Sequence, residues 1–264
     1  MQPYHNYRDK FTLPNGKMIY IPTEVTRHFG TDLIKWISRR WTIPHYFYHL
    51  RRGGHVAATR NHLNDFFFLR CDLSRCFDHV TRSKIHRALK SLGFGHRDAW
   101  EFAFKSVVAK PSQERALSLP FGFPQSPILA SLAIDRSALG VALKRLPRGE
   151  VRISVYMDDM LLSAVERRVL EQAIETIVEA ANKSGFAMNT SKTVGPADAV
   201  EVFNLQLTNG SLSVVEQRMK LFEEAVICSE RSVVDSVIGY VQTVNKDQAS
   251  RLRLVSVGAT GLPS

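Results

Sequence analysis

The sequence predicts a mixed α/β fold of the α+β class, in which helices back an antiparallel sheet. Residues 151–156 alternate apolar and polar side chains with the two-residue period of a half-buried strand, and a second apolar run follows at 160–162. A short aromatic and aliphatic run at 66–69 has the composition of a buried strand. Apolar residues with helical spacing lie between and after these strands. The chain therefore contains at least one sheet and several amphipathic helices.

The N-terminal zone, residues 1–65, is basic and aromatic. Its Pro14-Asn15-Gly16 segment separates two short apolar stretches, which predicts a β-hairpin. Apolar residues in 31–41 then predict a helix. A Gly-Gly break at 53–54 follows, and three arginines surround it: Arg51, Arg52 and Arg60.

The middle zone, residues 66–207, has the strongest strand and helix signals. Thr81 is predicted to cap a helix whose apolar face includes Ile85 and Leu89. Ser126 and Pro127 are predicted to form the N-cap and first turn of another helix. A third helix is expected to end at Gly185.

The last zone, residues 208–264, is predicted to be helical, with basic residues towards its end. We find no internal repeat and no low-complexity tract in the chain. The three zones are therefore expected to be lobes of one compact unit.

Composition limits the partners of the chain. Among 264 residues, 35 lysines and arginines against 25 acids give a net charge of +10 and a pI near 9.7, which favours a polyanionic partner such as nucleic acid. Three cysteines without paired or metal-ligand spacing indicate a reducing compartment. The first ten residues lack the apolar core of a secretory signal, and no run reaches the roughly 18 apolar residues of a membrane span. We expect a cytoplasmic protein with no membrane partner.

Three acids carry the chemical prediction. Asp158 and Asp159 lie between the two apolar segments of 151–163, at the tip of a predicted hairpin. Alone, such a pair is more typical of an ordinary turn, and Asp72 at the end of the 66–69 strand could simply cap a turn. If the two strands are neighbours in one sheet, however, Asp72 lies opposite Asp158. Three carboxylates would then form an Mg²⁺ site of the kind that supports nucleotidyl transfer.

Five segments in order resemble the motifs of reverse transcriptases. YMDD at 156–159 matches the Y-x-D-D signature, and DLSRCFD at 72–78 is similar to the first catalytic motif. LPFGFPQSPILASL at 119–132 resembles the family's helix motif. GFAMNTSKT at 185–193 and FNLQL at 203–207 resemble the segment beyond the catalytic hairpin and the primer grip. The helix motif looks more like that of bacterial abortive-infection and defence-associated enzymes than that of retroviral or intron enzymes.

The resemblance implies a right-hand polymerase fold. Residues 1–65 would form the fingers, 66–207 the palm with its antiparallel sheet, and 208–264 a small helical thumb; part of 93–120 is assigned either to the palm or to the fingers. The implied function is RNA-directed DNA polymerisation with two Mg²⁺ ions, or Mn²⁺ in their place, in antiviral defence. The implied partners are an RNA template or a dedicated noncoding RNA, the DNA product, deoxynucleoside triphosphates, and a second copy or partner protein that completes the thumb.

The resemblance also implies roles for individual residues. Phe77 would lie under the incoming sugar and exclude a 2′-hydroxyl, and Lys192 would approach the departing phosphates. The implied sets are catalytic and metal-binding residues Asp72, Asp158 and Asp159, with Leu73 added to the metal set; substrate-binding residues Phe77, Phe121, Gly122, Gln125, Lys192 and Arg60; and nucleic-acid-binding residues Arg51, Arg52 and Tyr156.

One departure from the family leaves alternatives open. Most reverse transcriptases have Gln where this chain has Phe121, so a hydrogen-bonding amide is replaced by a stacking face. Untemplated or short-repeat DNA synthesis is therefore an alternative to copying RNA. A non-catalytic nucleic-acid-binding scaffold is a second alternative, against which the three acids argue. A nucleotide cyclase is a third, but it would favour a Gly-Gly-acid-acid turn, which this chain lacks.

Other polar residues receive structural interpretations. His45 and His49 have helical metal-ligand spacing, but no third ligand is visible, and core or surface positions are expected. Asp78 is expected at a helix start without a metal-binding role.

Overall fold

A computed structural model describes residues 5–110, 113–146 and 149–260. Residues 1–4, which belong to the ten residues examined for a secretory signal, lie outside the described residues. Residues 111–112, within the segment assigned to the palm or the fingers, and residues 261–264 of the expected thumb also lie outside them.

The N-terminal region contains a hairpin followed by helices. Its elements are β1 (Tyr7–Thr12), β2 (Met18–Pro22), α1 (Glu24–Arg40) and α2 (Gly54–Arg60). The hairpin predicted at Pro14-Asn15-Gly16 is confirmed: β1 and β2 are antiparallel, and Gly16 has a positive φ of 78° in the turn. Helix α1 begins earlier than predicted because Thr23 caps it, its side chain accepting the Thr26 N–H at 3.2 Å.

The middle region is an antiparallel sheet with helices packed against it, as predicted. Its elements are β3 (Phe67–Ser74), α3 (Cys76–His79), α4 (Arg82–Lys90), α5 (His96–Lys105), β4 (Val108–Lys110), β5 (Gln113–Ser118), α6 (Ser126–Asp135), α7 (Ala138–Arg145), β6 (Arg152–Tyr156), β7 (Asp159–Ala164), α8 (Arg167–Lys183), β8 (Ala187–Met188) and β9 (Val194–Ala197). The strands lie in the order β6-β7-β3-β8, and β9 also pairs with β3. Strands β4 and β5 form a separate hairpin.

Helix boundaries follow the predicted signals in two of three cases. Thr81 caps α4, its side chain accepting the Lys84 N–H, and α8 ends just before Gly185, whose φ is +64°. The prediction that Ser126 is the N-cap of α6 is wrong by one residue. Gln125 occupies the cap position without a side-chain cap, while Ser126 and Pro127 are already in the first turn.

The principal hydrophobic core lies between the sheet and its helices. Helix α6 is mostly apolar and is buried along almost its whole length, whereas α4 and α8 bury one face. The sheet thus rests on a helical layer that fixes the positions of β3 and β7.

The C-terminal region has a core of its own. Its elements are β10 (Ala199–Val202), β11 (Leu205–Thr208), β12 (Ser211–Val214), α9 (Glu216–Cys228), α10 (Arg231–Val244) and α11 (Lys246–Thr260). The three strands form an antiparallel sheet, which packs with the helices against Phe68 and Leu161 of the larger sheet. The helical character predicted after residue 208 is confirmed from Glu216 onwards.

No single helix in the described ranges combines the length and apolar character of a membrane span. Helices α6 and α7 meet those criteria only when taken together, across a bend of 70°.

Candidate active site

The three predicted acids meet where β3 lies beside the β6–β7 hairpin. Tyr156 pairs with Asp159 across the two-residue turn formed by Met157 and Asp158, and Met157 has a positive φ of 63°. Asp72 lies opposite Asp159, so the expectation that it lies opposite Asp158 is off by one residue. One carboxylate oxygen from each of the three acids lies within 4.8 Å of the others. The fold therefore gathers three negative charges from two neighbouring strands.

The electrostatics of this cluster favour a bound cation. Burial and the neighbouring carboxylates raise the pKa of Asp158, an effect that Lys17 opposes. Burial also raises the pKa of Asp159, although Arg70 lies 3.2 Å from that carboxylate. A divalent ion would remove the mutual repulsion that disfavours ionisation of these acids.

Asp72 is almost fully buried and has two polar neighbours. Its Oδ2 accepts a hydrogen bond from Asn189 Nδ2 at 3.1 Å and lies 3.4 Å from Lys192 Nζ. Leu73, the other predicted metal-binding residue, has a buried apolar side chain, and its N–H donates to the Asp158 carbonyl at 3.0 Å. Only its backbone carbonyl could therefore serve as a ligand. The hard oxygens of Asp72, Asp158 and Asp159 fit the ligand preference of Mg²⁺ and Mn²⁺.

A cavity of about 700 Å³ opens beside the acids. Asp72 and Asp158 lie on one side of it, and the tip of the β1–β2 hairpin lies on another. Its walls carry four cationic side chains, Lys17, Arg75, Lys110 and Lys192. Asp78 pairs with Arg75 at 2.7 Å and with Lys110 in the first turn of α3, and it does not belong to the acidic cluster. Of the four cations, the sequence had indicated only Lys192.

Phe77 and Phe121 stack against each other next to this cavity. Their ring centroids are 4.5 Å apart and their planes are inclined by 15°. Phe77 is 4% exposed, and Lys17 Nζ lies 3.7 Å from the centroid of the Phe121 ring, within range of a cation–π interaction. Phe121 lines the cavity, and its ring packs against that of Phe77. The aromatic that replaces the usual amide therefore contacts the predicted gate directly.

Gly122 and Gln125 do not contribute side chains to this cavity. A Cβ on Gly122 would lie 2.2 Å from the Tyr20 carbonyl oxygen, and its φ is +103°, so the glycine permits close packing against β2. Gln125 is fully buried, with Nε2 3.4 Å from Ser106 Oγ and its side chain against Gly30 of α1. The expectation that Gln125 reaches the cavity beside the acids is therefore not met. Its amide is enclosed between helices.

The three predicted arginines are not gathered at the acids. Arg51 donates to the His45 carbonyl and lies over the Tyr48 ring, and Arg60 donates to the Thr243 carbonyl of α10. Arg52 is exposed. Arg60 thus connects α2 to the C-terminal helices and does not line the catalytic cavity.

Tyr156 lines a second cavity, of about 550 Å³, between the hairpin and the C-terminal helices. Its ring contacts Phe203, with centroids 5.2 Å apart. Phe203 and Asn204 form the β10–β11 turn, and both have positive φ. The lining is aromatic with one cation and no carboxylate: His55, Tyr156, Phe203, Asn204, Arg218, Phe222, Ser236, Val237 and Tyr240.

His49 supports the acidic hairpin, a role that the sequence did not indicate. Its Nδ1 accepts the Met157 N–H at 2.9 Å, so Nε2 carries the proton and donates to Ser131 Oγ at 2.7 Å. Burial lowers the pKa of His49 to about 4, which keeps the ring neutral near pH 7. Both ring nitrogens of His49 thus already form hydrogen bonds, so His49 has none left to bind a metal together with the exposed His45.

Comparisons with known proteins agree with this geometry. Residues 17–206 match the family described as reverse transcriptase (RNA-dependent DNA polymerase). The chain is 26% identical over 210 residues to the Retron Mx65 reverse transcriptase of Myxococcus xanthus, covering 70% of this chain and 48% of that protein. The chain therefore spans about half the length of that relative.

Solved structures show the same fold. Telomerase from Candida albicans, in complex with a fragment of telomeric RNA, has a TM-score of 0.52 at 13% identity, covering 88% of this chain and 47% of that one. The foamy viral protease-reverse transcriptase, in complex with an RNA/DNA hybrid, has a TM-score of 0.51 at 14% identity, covering 96% of this chain and 33% of that one.

The sheet, the helices behind it and the acidic hairpin define a polymerase-type palm. Because the family match spans most of the chain, this protein belongs to the reverse transcriptase family.

Proposed function

We propose that this chain is an RNA-directed DNA polymerase that adds deoxynucleotides to a primer. The observation that carries the proposal is the cluster of Asp72, Asp158 and Asp159 within 4.8 Å, next to a cavity with cationic walls. Three buried or half-buried carboxylates that repel one another lower the stability of the fold unless a cation is bound. A non-catalytic scaffold would not require such a cluster.

The three carboxylates would hold two divalent ions, Mg²⁺ or Mn²⁺, with the Leu73 carbonyl as a further ligand. Such ions lower the pKa of an attacking hydroxyl and stabilise charge on a leaving pyrophosphate. The protein's own contribution is positional. Strand pairing fixes Asp72 against Asp159, and the bond between His49 and the Met157 N–H fixes the turn that presents Asp158.

The cationic walls suit a triphosphate. Lys17, Arg75, Lys110 and Lys192 would neutralise its charge, and Lys192 would move from Asp72 towards the departing phosphates. The Phe77 ring would exclude a ribose 2′-hydroxyl, with Phe121 holding it in place. Gly122 would act by letting its backbone pack closely against β2. Gln125 is fully buried, so it would stabilise the fold without contacting the nucleotide.

The strand-binding surfaces lie further from the acids. Tyr156 and the aromatic cavity around it would offer stacking faces for primer bases, and the exposed Arg51 and Arg52 would contact backbone phosphates. Arg60 would act through its contact with α10.

The lobes and partners follow from the same proposal. Residues 1–65 would serve as fingers, 66–207 as palm, and 208–264 as a small thumb. A structured noncoding RNA, a partner protein or a second copy of the chain would help to hold the primer. The similarity to a retron enzyme and the defence-type helix motif support a role in anti-phage defence.

Untemplated or short-repeat DNA synthesis is a second candidate. The observation that favours it is the face-to-face stack of Phe121 on Phe77, since an aromatic replaces the amide that contacts the nucleotide in most of the family. This candidate predicts that product forms equally well when the template is omitted.

The test is primer extension on an RNA template by the wild type and the Asp72→Asn variant. The wild type should extend the primer only with template and divalent metal present, and the variant should not. Asp98→Asn, which removes an exposed acid of α5, is the matched control and should retain full activity. Extension by Asp72→Asn at the wild-type rate would exclude the proposed role of the cluster.

A further inference from the structure

A second basic site lies among the helices behind the sheet. A cleft of about 360 Å³ is formed by α4, the junction between α6 and α7, and the C-terminal end of α8. These elements contribute no residue to the catalytic cavity. The charged residues lining the cleft are all cations: Lys84, Arg87, Arg136 and Lys183.

The positive charge of the cleft is only partly balanced. Lys183 pairs with Glu179 on its own helix, and Arg136 lies 3.6 Å from Asp135, a carboxylate that Lys144 also contacts. In the described part of the chain, Lys84 and Arg87 form no ion pair with an acid. Burial lowers the pKa of Lys84, and the nearby Arg87 adds to this effect.

The cations also retain free donors. The Lys183 side chain is 65% exposed and that of Arg136 is 39% exposed. Arg87 is exposed on α4, whereas Lys84 is half-buried and donates to the Gly185 carbonyl at 3.2 Å. A guanidinium has five N–H donors, so Arg87 and Arg136 can each contact a phosphate with two of them.

The chemistry of the lining points to one ligand class. Apart from the cations, the cleft is lined only by serines and alanines. It offers no large apolar side chain for a membrane surface and no acid for a metal ion. We propose that this cleft binds phosphate groups, and that their source is the backbone of an RNA strand lying behind the palm, away from the catalytic cavity.

The inference is tested by binding, independently of DNA synthesis. The variant is Arg87→Gln with Lys183→Gln, which removes two exposed charges and leaves Lys84 in place. The matched control is Arg97→Gln with Arg168→Gln. It removes two exposed arginines that line neither the catalytic cavity nor the basic cleft. Affinity for a fluorescein-labelled RNA hairpin is measured at several salt concentrations for the intact chain and both variants.

We expect the cleft variant to bind the hairpin more weakly and its log Kd–log salt slope to fall by about 1.5, since each phosphate contact contributes roughly 0.7–0.9. The control should keep the wild-type slope. Primer extension with saturating primer–template should be unchanged in both. The inference would be overturned if the wild type and the cleft variant had equal slopes. It would also be overturned if the cleft variant and the control lost the same amount of hairpin affinity.

A second arm identifies the source of the phosphate. Tripolyphosphate binding is measured by calorimetry for the same three proteins. Hairpin affinity that falls in the cleft variant but not in the control assigns the phosphates to a strand, whether or not tripolyphosphate binding falls with it. If only tripolyphosphate binding falls, the cleft takes a free polyphosphate and the assignment to RNA is overturned. A polymerase that is inactive on every template would contradict the proposed function but would leave this result intact.

Discussion

Residues of one hairpin line two cavities of opposite character. Asp158 lines a cavity of about 700 Å³ that combines carboxylates with four cations, whereas Tyr156, two residues earlier, lines an aromatic cavity of about 550 Å³ without a carboxylate. The first has groups that can bind metal ions and phosphates. The second has faces that can stack on bases but no acid to support chemistry. Under the proposed function this four-residue motif divides between reaction and binding, and variants in the two cavities should affect different kinetic constants.

The largest effect is expected for Asp158→Asn. Removing one carboxylate from the cluster should lower kcat by about 10³-fold or more, which corresponds to roughly 4 kcal/mol of barrier. Because burial and Asp72 already disfavour ionisation of Asp158, melting without metal should be unchanged or slightly higher. The measurements are single-turnover incorporation and a thermal melt. A wild-type rate in the Asn variant would remove Asp158 from the metal site.

The second prediction concerns His49, which supports the turn between the two cavities. Its pKa of about 4 lies below the unfolded value near 6.5, so the unfolded state binds the extra proton first. The contribution of His49 to the free energy of unfolding is therefore fully present above pH 6.5. It falls by about 3 kcal/mol at most as the pH is lowered towards 4. The measurement is chemical denaturation between pH 4 and pH 8.

Two variants separate this effect from the other histidines whose pKa is lowered, His55, His62 and His79. In His49→Asn the amide oxygen can still accept the Met157 N–H but does not titrate, so the pH dependence should flatten while activity is largely retained. His49→Ala should flatten it and also lower kcat about 10-fold. If the free energy of unfolding had the same pH dependence in the wild type and both variants, groups other than His49 would account for it.

The third prediction concerns the aromatic cavity. Stacking of a base on an aromatic ring is worth about 1–3 kcal/mol, so Tyr156→Ala should weaken primer–template binding by roughly 10-fold or more. At saturating primer–template, kcat should stay within about 3-fold of the wild type, because the acids are untouched. Tyr156→Phe, which keeps the ring, is the control. A fall in kcat with unchanged affinity would contradict the division between the cavities.

The smallest effect is expected in sugar selection. Phe77→Ala should lower the preference for deoxyribonucleotides over ribonucleotides by about 10-fold, or roughly 1–2 kcal/mol, by removing a rigid ring next to the nucleotide cavity. Phe77→Tyr should retain the preference. The measurement is kcat/KM for matched nucleotide pairs, and an unchanged ratio in the Ala variant would exclude Phe77 as the gate.

Local signals predicted the parts of the fold that depend on neighbouring residues. The Pro-Asn-Gly turn, the Thr81 cap, the end of α8 before Gly185 and the acidic hairpin all follow from local sequence. The register of β3 against β7 does not. Apolar patterning identified both strands, but only side-chain packing across the sheet decides that Asp72 faces Asp159, one residue from the expected partner.

Long-range contacts explain what the sequence did not predict in the site. His49 reaches Met157 across 108 residues of chain, and Gln125 is enclosed by α1 and Ser106. No local pattern indicates either contact, because a histidine among aromatics and a glutamine before Ser-Pro are compatible with many environments. Phe121 departs from the family in sequence, but its stacking on Phe77 depends on the folded loop.

The most direct test of the central claim is single-nucleotide incorporation by the wild type on RNA templates that differ only in the first unpaired base. If the acidic cluster serves RNA-directed DNA synthesis, each template should direct addition of its complementary deoxynucleotide, only with Mg²⁺ or Mn²⁺, and Asp158→Asn should add none. Addition of the same nucleotide on all four templates, or equal addition without a template, would contradict the account.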